Sequence, residues 1–130
     1  MYRAWLELVP KDLERAEAAI AKGDLEALGT LAEANAMAMH ASALAARPAI
    51  VYWHPATLGI LAEVRGLRSS GQPAWATMDA GPHVKVLTTA AAAELVQQAL
   101  VDNAGVTAVS ISGVGGPAEV IDASKVVSLA

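Results

Sequence analysis

The chain of 130 residues contains no cysteine and no phenylalanine, and aromatic residues make up only 4% of it. The absence of cysteine excludes disulfides and thiol chemistry. Without phenylalanine, a core must be built from Leu, Val, Ile, Ala and Met. Basic side chains number 9 against 13 acidic ones, so the net charge is −4. A nucleic-acid surface needs a basic stripe, and this balance argues against such a partner.

Long apolar runs are also missing. No window approaches the roughly 18 apolar residues of a membrane span, and the first residues lack the basic region and apolar core of a signal peptide. We therefore expect no membrane partner and a cytoplasmic location. The histidines His40, His54 and His83 lack the i, i+4 spacing and the clustered carboxylates of a metal site, so no metal site is predicted.

Small apolar residues are abundant. Hydrophobic residues make up 55% of the chain, and much of this is alanine, which favours helices without adding bulk. Such an excess is also typical of a surface that docks on another domain or chain. We expect a homo-oligomer or a partner chain.

The first predicted helix carries its apolar face on Leu13, Ala16 and Ile20. Pro10 lies near its predicted start, and Gly23 is its predicted end. The length of the chain fits one domain, which we place at residues 1–123 with a tail at 124–130.

Three further helices are predicted from caps and apolar periodicity. Asp24 caps the second helix, Pro55 opens the third, and Thr89 caps the fourth, which ends at Gly105. The predicted inward positions are Leu25, Leu28, Ala32, Asn35, Met39 and Ala43, then Leu58, Leu61, Val64 and Leu67, and finally Leu95, Val96, Ala99 and Leu100.

Short alternating segments predict strands at Ala74–Met78, 83–87, 107–112 and 119–122. Helices followed by a small sheet indicate an α+β fold. We expect an antiparallel sheet of about four strands packed with about four helices.

One carboxylate lies at the corner between the first two predicted strands. Asp79 is followed by an Ala-Gly-Pro turn, in which glycine tolerates positive φ and proline fixes its own. Backbone polar groups beside such an aspartate offer a place for a substrate hydroxyl or an anion. The same pattern is also ordinary turn chemistry, and both interpretations remain open here. His83 and Lys85, at strand spacing, would add a small cationic patch that favours ionised Asp79.

Other polar side chains have structural interpretations. Asn35 and His40 interrupt an apolar helix, and we expect them to satisfy backbone groups or each other. Arg65 and Arg68 share a helical face, which we expect to be solvated. The Tyr-Trp pair at 52–53 would anchor the start of the third helix.

Several blocks in register resemble one enzyme family. The segment Thr77-Met-Asp-Ala-Gly-Pro-His-Val-Lys-Val-Leu87 resembles the Asp-Ala-Gly-Pro-Asn segment of the mevalonate diphosphate decarboxylases. These enzymes are relatives of galactokinase, homoserine kinase, mevalonate kinase and phosphomevalonate kinase. The segments 33–41, 48–58 and 64–71 are similar to their Asn-x-x-x-Met/Leu-His-Ala, Pro-x-x-x-Tyr-Trp-x-Pro-x-Ser-Leu and Val-Arg-x-Leu-Arg…Gly blocks, so the resemblance spans residues 2–121.

The resemblance implies a ferredoxin-like fold and a function in the mevalonate pathway. The implied reaction is the ATP-dependent decarboxylation of mevalonate 5-diphosphate to isopentenyl diphosphate. Asp79 matches the catalytic aspartate of the family, and Ala80, Gly81 and His83 are the implied substrate-binding residues. His83 stands where the family has asparagine.

Family members are more than twice as long, and their phosphate-cradling loop lies in an N-terminal part absent here. The glycine-rich segment 113–116 is followed by proline and a predicted strand, whereas a phosphate cradle needs a following helix N-terminus. The resemblance therefore implies that ATP and Mg²⁺ are bound mainly by the absent part. We expect the chain to be catalytically incomplete alone.

Two alternatives to this function remain open from the sequence. The first is a non-catalytic assembly or binding module from a truncated or split gene. Alternatively, the chain belongs to a decarboxylase that acts on a different phosphorylated mevalonate.

Overall fold

The computed structural model describes residues 1–103 and 105–120. Within these residues the elements are, in order, α1 (Tyr2–Lys22), α2 (Leu25–Leu44), α3 (Pro55–Ser69), β1 (Ala74–Met78), β2 (Val84–Thr88) and α4 (Ala93–Val101). The strands form an antiparallel hairpin in which Ala76 is opposite Val86. α1 packs on α2, both α2 and α3 pack on β1, and α4 packs on α3. No helix among the described residues has the length and apolarity needed to cross a bilayer.

The core lies between α3, α4 and one face of β1. Side chains alternate across a strand, so Ala74, Ala76 and Met78 point into this core while Trp75 points the other way, onto Gly29 of α2. β1 is therefore covered on both faces. The remaining buried core residues are Leu61, Val64, Leu67, Ala92, Val96 and Leu100. Of the predicted α3 face, only Leu58 is exposed.

The contact between Gly29 and Trp75 leads to a stability prediction. A Cβ at Gly29 would overlap the indole ring of Trp75, which is buried and cannot move aside easily. Gly29→Ala should therefore lower the free energy of unfolding by about 1–2 kcal/mol, because overpacking outweighs the gain in helix propensity. Gly66→Ala in α3 is the matched control, since nothing lies within 4 Å of the added Cβ.

Urea unfolding of both variants measures this difference. Gly66→Ala should raise the free energy of unfolding by roughly 0.5–1 kcal/mol, because alanine is the better helix former. If Gly29→Ala stabilises the chain as much as Gly66→Ala does, the close packing of α2 on β1 is wrong.

The apolar face predicted for α1 is wrong at Leu13 and Ile20, whereas Ala16 lies on the covered side of the helix. Leu13 and Ile20 are 60% and 64% exposed, and Pro10 lies inside the helix instead of near its start. Proline is tolerated here on the exposed side, and the residues before it continue the helix back to Tyr2. α2 covers only a narrow stripe of α1, which consists of Trp5, Val9, Asp12, Ala16 and Ala19.

The predicted helix boundaries between α1 and α2 are confirmed. Gly23 ends α1 with φ 65°, and the Asp24 side chain accepts a hydrogen bond from the Ala27 N–H at 2.9 Å. The predicted inward stripe of α2 is only half-buried, whereas Gly29, Ala36 and His40 are buried. α2 lies between α1 and β1, so it has two covered sides and a single stripe could not describe it.

The α+β class is confirmed, but the four-stranded ferredoxin-like sheet is not. Among the described residues the sheet has two strands, and residues 107–112 and 119–120 form none. In the first of these segments the carbonyl of Val109 accepts from the Gln97 side chain at 2.9 Å, not from a neighbouring strand. Val120 is fully exposed, so nothing covers a strand there. Residues 121–122 and the tail 124–130 lie outside the described residues.

Two smaller differences concern β2 and α4. β2 occupies Val84–Thr88, one residue later than predicted. α4 begins at Ala93, later than the predicted cap Thr89, whose hydroxyl accepts from the Ala92 N–H at 3.3 Å in the turn before the helix.

Candidate functional site

The turn 79–83 between β1 and β2 contains all four predicted site residues. Asp79 directly follows β1, and His83 directly precedes β2. Between them Gly81 has φ 138°, a conformation that L side chains rarely adopt. The turn therefore brings Asp79, Ala80, Gly81 and His83 together; their roles in binding and catalysis stay predictions.

Asp79 forms an exposed ion pair with Lys85 of β2. Lys85 Nζ donates to Asp79 Oδ2 at 2.5 Å, and the aspartate side chain is 84% exposed. The hydrogen bond from Lys85, together with its charge, lowers the pKa of Asp79 below its ordinary range. The site thus holds an ionised carboxylate at neutral pH, which can accept a hydrogen bond from a hydroxyl group. The predicted effect of Lys85 is confirmed, whereas His83 is exposed and makes no hydrogen bond in this pair.

Removal of the lysine charge should be visible in the titration of Asp79. In Lys85→Met the hydrogen bond and the charge are both lost, so the pKa of Asp79 should rise toward its ordinary value. Carbon-13 NMR of the Asp79 carboxyl across acid pH measures this change. The control is Lys11→Met, at an exposed position of α1, which should leave the pKa of Asp79 unchanged. An identical Asp79 titration in both variants would exclude the ion pair.

An open groove of about 520 Å³ has Asp79 among its lining residues. Most of its lining comes from α1 and α2, and Thr77, Met78 and Asp79 at the end of β1 complete it. The sequence did not predict this groove, because α1 was expected to begin later and to bury Leu13. The other residues that line it include Trp5, Leu6, Val9, Leu13, Leu28, Leu31, Asn35 and Met39.

A polar network joins the two walls of the groove. Asn35 of α2 donates to Asp12 Oδ2 of α1 at 2.9 Å, and Trp5 Nε1 approaches Asn35 Oδ1 at 3.4 Å. Asn35 therefore bonds side chains of α1, and the expectation that it would satisfy the backbone or His40 is wrong. Its neighbours come from another helix, which a single-helix pattern cannot show.

His40 is buried among aromatic side chains. It is 1% exposed, and its ring lies 5.9 Å from the Tyr52 ring and 5.6 Å from the Trp53 ring between centroids. Within the described residues, neither His40 Nε2 nor Trp53 Nε1 has a hydrogen-bond partner. His40 thus does not satisfy Asn35, and its packing ties α2 to the segment before α3.

A second ion pair, Glu33 with Arg68, fixes the edge of β1. Arg68 donates to both carboxylate oxygens of Glu33 at 2.9 and 3.1 Å, and to the Ala74 carbonyl at 2.7 Å. The Ala76 N–H donates to Glu33 at 3.0 Å. The pair thus satisfies one carbonyl and one N–H of the strand that leads to Asp79. The Arg68 side chain is only 33% exposed, so the solvated face predicted for it is wrong, while Arg65 is exposed as predicted.

The Glu33 carboxylate is ionised in this environment. Burial raises its pKa, but the hydrogen bonds from Arg68 and the Ala76 N–H, with the charges of Arg68 and Arg65, lower the pKa further than burial raises it. Local sequence patterns cannot reveal this pair, because its members are separated by 35 residues.

The glycine-rich segment 113–116 lacks the following helix that a phosphate cradle needs. Residues 117–120, which follow the glycine-rich segment 113–116, contain no helix. Within residues 1–103 and 105–120, no three His, Asp or Glu side chains are grouped to hold a metal ion.

Comparisons with known proteins point to one family. The model of the mevalonate 5-diphosphate decarboxylase C-terminal domain matches residues 2–117. The phosphomevalonate decarboxylase of Haloferax volcanii is 32% identical over 126 residues, which are 96% of this chain and 38% of that protein.

Two solved structures give the same result. The mevalonate diphosphate decarboxylase from Enterococcus faecalis is 42% identical, with a TM-score of 0.74 that covers 78% of this chain and 32% of that one. MDDEF in complex with MVAPP, AMPPCP and magnesium is 40% identical, with a TM-score of 0.75 that covers 80% of this chain and 32% of that one. The chain thus spans between about a third and two fifths of the length of these relatives. It belongs to the family of the mevalonate 5-diphosphate decarboxylase C-terminal domain.

Proposed function

We propose that this chain is the C-terminal part of an ATP-dependent mevalonate 5-diphosphate decarboxylase that makes isopentenyl diphosphate. The observation that carries the proposal is the ionised, exposed carboxylate of Asp79, which lies in the turn 79–83 and lines the groove. This turn lies inside the segment that matches the family model. The decarboxylases among the relatives support the reaction class.

In the proposed reaction, Asp79 accepts a hydrogen bond from the 3-hydroxyl of the substrate and orients that oxygen toward the γ-phosphoryl of ATP. Loss of phosphate and CO2 then follows transfer. With its pKa lowered by Lys85, the carboxylate is a weak base, so orientation contributes more than proton abstraction. The backbone at Ala80 and Gly81 and the imidazole of His83 lie in the same turn and are proposed to bind the substrate.

ATP and Mg²⁺ are proposed to be held mainly by the part of the enzyme that this chain does not span. The complex of MDDEF with AMPPCP and magnesium supports their use in the family. Phosphoryl transfer requires a phosphate cradle and a cation that neutralises the developing charge. The described residues contain neither a metal cluster nor a helix after the segment 113–116.

The purified chain should release no CO2 from mevalonate 5-diphosphate with ATP and Mg²⁺. Activity should appear in a chimera in which this chain replaces the matching third of the Enterococcus faecalis enzyme. We expect one ADP for each CO2, because phosphorylation precedes decarboxylation. CO2 release by the chimera without ATP would overturn the proposed ATP dependence.

The number of substrate phosphates is a separate question. The Haloferax volcanii relative is a phosphomevalonate decarboxylase, which favours a monophosphate as the alternative substrate. The segment 113–116 lacks the helix of a phosphate cradle, so we expect substrate choice to follow the other part of the enzyme. Chimeras with the Enterococcus and the Haloferax remainder should then prefer different substrates. If both prefer the same substrate, this chain sets the choice.

A non-catalytic assembly module is the second candidate function. It is favoured by the exposed apolar side chains of α1, such as Leu13 and Ile20, which would associate in a homo-oligomer. Light scattering of the purified chain tests this candidate. A monodisperse monomer, together with an active chimera, would favour the enzyme.

A further inference from the structure

We propose that Glu33 and Arg68 are positioning residues for catalysis, which together set the place of the Asp79 carboxylate. This inference rests on the proposed function, in which Asp79 orients the 3-hydroxyl of the substrate. The ion pair acts through β1, whose last residue directly precedes Asp79.

Two backbone groups of β1 are held by the side chains of this pair. Arg68 donates to the Ala74 carbonyl at 2.7 Å, and Glu33 accepts from the Ala76 N–H at 3.0 Å. Residues two apart in a strand present their backbone groups at the same edge of the sheet. The pair thus bonds one edge of β1 at two successive positions, as a neighbouring strand would.

The geometry of the pair is directional. Both terminal nitrogens of Arg68 donate to Glu33, at 2.9 and 3.1 Å, and one of them also donates to β1. A planar guanidinium that binds a carboxylate through two bonds holds it in one orientation. Because Glu33 belongs to α2 and Arg68 to α3, the strand is tied to both helices.

The other contacts of β1 fix its position less closely. Its two faces are held by apolar packing, which is not directional. Its partner β2 is at most half-buried, and a two-stranded hairpin is only marginally stable by itself. The bonds to Glu33 and Arg68 therefore hold β1 along its own axis. Asp79 lies three residues beyond Ala76, about 10 Å along extended chain, and moves with the strand.

Catalysis is sensitive to such movement. A misplacement of about 1 Å can lower a rate by about a hundredfold. Glu33→Gln keeps the shape of the side chain but removes its charge, which weakens the bonds to Arg68. In the Enterococcus chimera we expect kcat to fall about tenfold. The change in KM should be much smaller, because the orientation of the hydroxyl matters mainly in the transition state.

Asp24→Ala separates this effect from a loss of stability. It removes the side-chain cap of α2 and so destabilises the fold, but Asp24 makes no bond to β1. Both chimeras are assayed where urea unfolding shows them to be fully folded. Asp24→Ala should leave kcat within about twofold of the parent. Parental kcat in Glu33→Gln, or an equal loss in the two variants, would overturn the inference.

Arg68→Lys tests the pair from its other member. Lysine keeps the positive charge but cannot form the two parallel bonds, so kcat should again fall. The double variant Glu33→Gln/Arg68→Lys should lose no more than the larger single loss, because the two residues act as a unit. Single losses that multiply in the double variant would contradict a joint role.

A second readout does not depend on turnover. Residual dipolar couplings of the Met78 and Asp79 N–H groups report the orientation of the strand end in the isolated chain. Glu33→Gln should change them, whereas Asp24→Ala should not. Unchanged couplings in Glu33→Gln would overturn the inference. Changed couplings beside an inactive parent chimera would count against the proposed function, while the placement of Asp79 by the pair would stand.

Discussion

Replacement of Asp79 by asparagine should lower kcat of the chimera by about a hundredfold or more, with a much smaller change in KM. Asparagine has nearly the same shape and keeps the turn, but it carries no charge and cannot accept a proton. The exposed position of Asp79 means that the change should not unfold the protein. A loss confined to kcat would show that this carboxylate stabilises the transition state more than the bound substrate.

Asp102→Asn is the control for this experiment. Asp102 is also an exposed aspartate, at the end of α4 and away from the lining of the groove. Its replacement should leave kcat within about twofold of the parent, as expected for a surface change. An Asp79→Asn chimera with parental kcat would show that this carboxylate is only a turn residue.

Loss of the Glu33 carboxylate should have the largest effect on stability. In Glu33→Ala the Ala76 N–H loses its acceptor, and Arg68 loses its ion-pair partner. An unsatisfied buried donor costs about 1–3 kcal/mol, while the contribution of Arg68 is reduced by solvent, because it is one third exposed. We expect a loss of about 2–3 kcal/mol in the free energy of unfolding, measured in urea. The control is Glu14→Ala, at an exposed position of α1, which should change the free energy of unfolding little.

The same pair predicts a dependence of stability on pH. The pKa of Glu33 in the folded state lies below its ordinary value of 4.5, so the carboxylate stabilises the fold fully above that value. The stabilisation is lost as the pH falls below 4.5 and through the folded-state pKa. Between neutral pH and pH 3, Glu33→Gln should therefore lose less stability than the parent chain does. Equal losses in both proteins would contradict this assignment.

Local patterns predicted the elements whose causes are local. Gly23 and Asp24 mark the boundary between α1 and α2 through backbone conformation and a short-range hydrogen bond, and both were found. β1 occupies the predicted residues Ala74–Met78. Its boundaries follow from the proline before it and the turn after it, which are visible in the sequence.

Features that depend on distant partners were not predicted. The exposed side of α1 depends on how much of that helix α2 covers, and the pairing of Glu33 with Arg68 joins two helices. The segment 107–112 alternates like a strand, but alternation cannot reveal whether a sheet edge is available to pair with it.

The candidate site also has one part that the sequence predicts and one part that it does not. The turn with Asp79 and the influence of Lys85 follow from residues close in sequence, and the structure brings them together. The groove beside them was missed, because it needs α1 to reach back to Tyr2 and to leave Leu13 uncovered.

The most direct measurement is ATP-dependent CO2 release from mevalonate 5-diphosphate by four samples. These are the isolated chain, the Enterococcus remainder alone, the chimera, and the chimera with Asp79→Asn. We expect release only from the unmodified chimera. Release by the isolated chain, or equal release by the two chimeras, would contradict the assignment of Asp79 as the catalytic carboxylate of an incomplete decarboxylase.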